Sequence, residues 1–214
     1  AVAPLRPPAR RPPARPLVAG KIGATLLGCY LLAVALRIGG CYQPESRARD
    51  DLAGTGPQMG ERFPAFELSD LSGTRIGTGV LAGTPTVLVF VPSLDWSPPT
   101  KARLIDLAEV FGGRRDVTVA VILTEAQATP RARTFVRERH APFYYLVDAD
   151  GLTERLGLHA DGPDGTATAL PATFVLDRDG VVRLRDVRRQ ARTWLGPEVI
   201  LYAVAASLGS RPVE

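Results

Sequence analysis

The 214-residue chain is 45% apolar and 22% charged, which excludes a chain too polar to fold and suits one domain with a buried core. Its formal charge of +4 belongs to the first residues. Arg6, Arg10, Arg11, Arg15, Lys21 and Arg37 meet no acid before residue 38, and setting them aside leaves 20 basic side chains against 22 acidic ones. No basic stripe interleaved with aromatics follows, so nucleic acid is set aside as a partner.

Residues 1–16, with "PLRPPARRPPARP", have no apolar periodicity and read as an extended Pro/Arg-rich tail. The uncharged run Ile22 to Leu36 is bounded by Lys21 and Arg37, whose side chains can snorkel. Extended to residues 17–42, it predicts one transmembrane helix, close to the roughly 20 residues a bilayer needs. The positive charge ahead of the span sets the N-terminus in the cytoplasm and the rest of the chain outside, in the periplasm. Two rivals are a cleaved signal peptide and a buried core helix. "IGGC" resembles a lipoprotein box with Cys41 as the lipidated residue, but Arg37 is an awkward charge just before it. An intermolecular disulfide is the other role open to Cys41. Cys29 and Cys41 are the two cysteines, and residues 42–214 contain none.

Residues 43–59 are polar and Gly-containing, a predicted linker to a domain over 60–210. That domain opens on "FELSDLSGTRIG", alternating residues with a turn at "LSG". "TVLVFV", "VTVAVIL" and "TFVLD" are apolar runs of the kind buried on both faces of a sheet. Between them, "PPTKARLIDLAEVF" from Pro98 spaces Leu104, Leu107, Ala108 and Phe111 as one helix face, and "PRARTFVRERH" is a second helix. "DRDG" predicts a hairpin joining "TFVL" to "VVRLRDV", and "GPEVILYAVAASLG" a closing helix started by Pro197 and stopped by Gly209. The expected fold class is α/β: a central mixed β-sheet flanked by helices on both sides. His140 and His159 stand alone, so no metal site is predicted, and no cofactor is implied.

Across residues 58–208, "GERFPAFELSDLSGTRIG", "GTPTVLVFV", the "WSPPT" helix start and "LPATFVLDRDGVVR" together resemble the membrane-anchored thioredoxin-like proteins of the TlpA/ResA group. They are similar also to the MauD type and to the AhpC/TSA-like redoxins. The resemblance implies a thioredoxin-like fold with Pro171 in cis, facing the redox motif. In these families that motif reads W-C-x-x-C, so Trp96 stands beside a degenerate motif in which Ser97 and Thr100 occupy the cysteine positions, with Pro98 and Pro99 between them. Aligned as a peroxiredoxin, the chain would carry its reactive cysteine near Pro99, and the arginine expected before "ATF" is Pro171.

Thiol chemistry at a helix start rests on a cysteine pKa lowered from about 8.5 into the range ~3.5–7.5, with a second sulfur to resolve the mixed disulfide. Hydroxyls supply neither, and no base is visible in the sequence to activate them. Ser97 is instead a favoured N-cap, and Pro98 suits the first helical position. The expectation is therefore a redox-inactive domain that binds protein. It would serve as an accessory or assembly subunit of a membrane complex, electron-transfer complexes being those that the resembling families help to mature. The alternative is a divergent thiol-disulfide oxidoreductase or peroxidase using a cysteine from elsewhere.

Overall fold

In chain order the elements are β1 (Glu67–Asp70), β2 (Arg75–Gly77), α1 (Thr78–Leu81), β3 (Thr86–Val91), α2 (Pro98–Phe111), β4 (Thr118–Leu123), α3 (Pro130–Arg139), β5 (Tyr144–Val147), α4 (Leu152–Arg155), β6 (His159–Asp161), β7 (Ala167–Ala169), β8 (Ala172–Leu176), β9 (Val182–Val187) and α5 (Pro197–Gly209), with a 3₁₀ turn at Ala191–Thr193 before the last. This is a computed structural model, and it describes residues 52–95, 97–125, 128–139, 141–161 and 167–209. The expected tail and membrane span, Cys41, Trp96 and His140 lie outside the described residues. Among the described residues no helix is long and apolar enough to cross a membrane.

Seven strands form one sheet in the order β2-β1-β5-β4-β3-β8-β9. β3, β4 and β5 run parallel, while β8 and β9 on one side and β1 and β2 on the other are antiparallel. The predicted central strand "TVLVFV" is β3, buried over all six residues. Its side chains alternate as the pleat requires: Leu88 and Phe90 enter one core, Val87, Val89 and Val91 the other. β4 divides the same way, Ala120 and Ile122 against Val119, Val121 and Leu123. Such strands are continuous hydrophobic runs because both faces are covered.

The two coverings differ, which narrows the expectation of helices flanking both sides. One face carries α2 through Leu104, Leu107 and Phe111, α5 through Ile200 and Val204, and α3 through Ala132. The other is closed largely by non-helical chain: Phe63 and Phe66, the single-turn α1 and α4 through Leu81 and Leu152, and Leu158. Aromatic rings do much of the filling there, Phe174 packing edge-on against Phe63 and Phe90 with centroids 5.3 and 5.9 Å away.

The "DRDG" turn and the closing helix lie where the residues predict. Asp177 accepts the Asp179 and Val181 amides on Oδ1, 2.9 Å each, and Gly180 takes φ +76°, so β8 and β9 pair as a hairpin. The expected linker 43–59 is bound chain from residue 52 onward. Leu52 N donates to Val187 O (2.9 Å), Gly60 N to Val182 O (2.8 Å), and Arg185 Nη2 to Thr55 O (2.6 Å). The segment is held by hydrogen bonds to β9 and by Leu52 packed against the core.

Candidate functional site

The loop that leaves β3 is fixed before the helix begins. Asp95 N donates to Ser93 Oγ at 3.1 Å, and Asp95 Oδ1 accepts from Thr129 Oγ1 at 2.7 Å. Thr129 in turn accepts the Ala132 amide at the start of α3, so one threonine ties two helix starts together. Ser97 follows as the N-cap of α2, its Oγ accepting from Thr100 N at 3.4 Å, with Pro98 and Pro99 as the first helical residues. Proline fits there because its missing N–H falls where a helix has no internal acceptor.

Ser97 Oγ and Thr100 Oγ1 lie 2.7 Å apart, and both residues are buried, Thr100 completely. They hydrogen-bond each other at the positive end of the helix, with no acidic side chain in its first turn. Among the described residues no group of three His, Cys, Asp or Glu side chains could hold a metal, and His159 lies exposed on β6. What the pair can do chemically is cap a helix, with Ser97 also lining a cleft.

That cleft measures about 310 Å³, and its walls include Ser97, Pro98, Pro99, Ala169, Pro171 and Arg192. The degenerate motif and Pro171 thus come together, as expected from the resemblance. Trp96 is outside the described residues, and Thr100 is closed off beneath the cleft. The expectation of a cis Pro171 is corrected: among the described residues every peptide bond is trans. Leu170 N donates to Leu158 O and Pro171 O accepts from Arg188 N, 2.9 Å each, so paired extended chain continues through this proline into β8. The trans form is also the intrinsically preferred one, by about 0.5–1 kcal/mol before proline.

Two residues beside the cleft were missed. Arg103, one turn beyond Thr100, is 5% exposed, and its guanidinium lies 5.7 Å from the ring of Trp194, itself buried. Burial pushes the Arg103 pKa below its ordinary value, opposed by the negative charges of Asp186, Asp106 and Glu198. On the flank, Arg188 Nε donates to Asp186 Oδ1 in a buried ion pair, and Asp186 Oδ2 accepts the Leu195 amide at 3.2 Å. Helical periodicity gives a signal for Arg103, which falls between Thr100 and Leu107 on the buried face, but an arginine in such a place reads as solvated.

Residues 59–185 match the model of the AhpC/TSA family. The methylamine utilization protein MauD of Methylorubrum extorquens is 25% identical over 165 residues, covering 75% of this chain and 73% of that protein. Among solved structures, a peroxiredoxin-like protein from Aquifex aeolicus superimposes with a TM-score of 0.62 at 18% identity, over 74% of this chain and 92% of its own. Peroxidoxin BcpB from Mycobacterium tuberculosis does so with a TM-score of 0.54 at 25% identity, over 72% and 99%.

Proposed function

Because the chain belongs to the AhpC/TSA family and carries a thioredoxin-like redoxin domain of mixed α/β architecture, we propose that it is a redox-inactive member, anchored by residues 17–42 and serving as a protein-binding subunit. The bound partner would be a membrane complex, with electron-transfer complexes the class that the resemblance to the TlpA/ResA and MauD group implies. Its domain would lie on the extracytoplasmic side. One observation carries the reading. The helix start that borders the cleft holds two hydroxyls 2.7 Å apart, bonded to each other and buried, and the domain sequence has no sulfur nucleophile to put there. A hydroxyl pair forms no disulfide, and one without a neighbouring base is a poor nucleophile.

A fold that retains its core and the cleft beside Pro171 keeps a surface for binding another chain even when it has no reactive atom. Family membership favours the second reading, a thiol-disulfide oxidoreductase or peroxidase drawing on a cysteine from outside the domain.

Gentle detergent extraction, native electrophoresis and mass spectrometry of co-migrating chains test the proposal. Stable migration with a membrane complex supports it; migration alone counts against it. Disulfide-reduction or peroxide-consumption activity abolished by Ser97→Ala or Thr100→Ala would sink it in favour of the enzyme.

A further inference from the structure

A second cleft, of about 320 Å³, lies between α2 and the 191–197 segment, and Arg103, Asp106, Arg192 and Trp194 are among its walls. It shares Pro99, Ala191 and Arg192 with the first cleft, but Ser97 and Pro171 do not line it. Arg103 is 5% exposed, and neither its Nε nor its Nη2 has a hydrogen-bond partner. Those two nitrogens form one edge of the guanidinium, the fork whose parallel N–H bonds match the two oxygens of a carboxylate. Trp194 is 6% exposed, and its Nε1 likewise has no acceptor. Three buried donors therefore border one cleft with no oxygen to receive them, where buried donors are ordinarily satisfied.

Three carboxylates attract Arg103 without reaching that edge. Buried Asp186 receives Arg188 Nε and Leu195 N, and exposed Asp106 and Glu198 act from a distance; none of them hydrogen-bonds Arg103 Nε or Nη2. A buried cation short of a partner is costly, and a ligand that supplies the anion recovers that cost.

We propose that this cleft is a carboxylate-binding site, with the Arg103 fork receiving both oxygens and the Trp194 indole N–H donating to one of them. The Trp194 ring lies against the guanidinium, 5.7 Å from ring centroid to Cζ. Because the fork is closed to water, the acid enters as the ring moves aside. The site stands whether or not the domain is redox-inactive.

Trp96 and Trp194 are the chain's two tryptophans, so Trp96→Phe leaves Trp194 as the sole reporter. The 214-residue chain carrying that change is titrated with succinate, and separately with a short peptide ending in a free carboxylate. Succinamide and the C-terminally amidated peptide are the controls, all at matched ionic strength. The expected result is a saturable change in Trp194 emission with an acid and at least roughly tenfold weaker binding of its amide. A response to succinate identifies a small free acid; a response to the peptide alone identifies a protein terminus. No saturable response to either acid, or equal responses to acid and amide, overturns the site. Arg103→Lys keeps the charge and loses the fork, and is expected to weaken binding about tenfold with an unchanged far-ultraviolet spectrum. Binding equal to the parent's would overturn the assignment to Arg103.

Discussion

Ser97 Oγ and Thr100 Oγ1 share a 2.7 Å hydrogen bond at the first turn of α2, where neither side chain has an ionisable group to answer the helix dipole. Ser97 also receives the Thr100 amide, so its hydroxyl serves the backbone and the neighbouring side chain together. Ser97→Ala removes both interactions and is expected to lower stability by about 0.5–2 kcal/mol. Urea unfolding gives the value, and a midpoint equal to the parent's would show that the cap contributes nothing.

Replacing both hydroxyls tests the lineage of the site directly. The combined change Ser97→Cys and Thr100→Cys puts two sulfurs on positions whose side-chain oxygens already touch, at a helix N-terminus that favours a thiolate. The double variant is expected to close an intramolecular disulfide in air and to reduce insulin faster than the parent. Mass loss of two hydrogens and resistance to alkylation report the bond. Two freely alkylating thiols under oxidising conditions would mean that this turn cannot hold redox geometry.

Gly56 tests whether residues 52–60 belong to the domain. Its φ is +75°, and a Cβ there would meet Leu158 Cδ2 at 2.8 Å and Phe174 Cζ at 3.5 Å. Gly56→Ala is expected to destabilise by at least about 1 kcal/mol, combining backbone strain with a clash against the core. A thermal melt unchanged from the parent would return the segment to the status of a passive tether.

Alkaline pH reaches the buried Tyr145. Burial on β5 raises the Tyr145 phenol from 10.0 to about 12. The unfolded chain loses this proton first, so the contribution is whole below pH 10 and fades as pH rises toward 12. The loss is roughly 2–3 kcal/mol. Denaturant midpoints from pH 9 to about 12, compared with Tyr145→Phe, isolate it; equal slopes for parent and variant would contradict the assignment.

Much of this domain is legible from residue order alone. Continuous apolar runs became the central strands, "SPPT" became a capped helix start, and "DRDG" became a hairpin, because each depends on interactions within a few residues. The same local logic misjudged residues 52–59, whose anchoring bonds reach β9 more than a hundred positions away. Family resemblance placed the degenerate motif and Pro171 together, while the trans peptide at that proline, beside the Leu170–Leu158 and Arg188–Pro171 bonds, was visible only in the structure.

The sequence determined the elements, the absence of sulfur from residues 42–214 and the cap chemistry of Ser97, all properties of short stretches or of composition. Only the tertiary structure decided that α2, α3 and α5 share one face of the sheet and that Arg103 and Trp194 meet without an acceptor. Those arrangements join residues far apart in the chain, and the donors left without partners are defined by what every neighbouring element fails to supply.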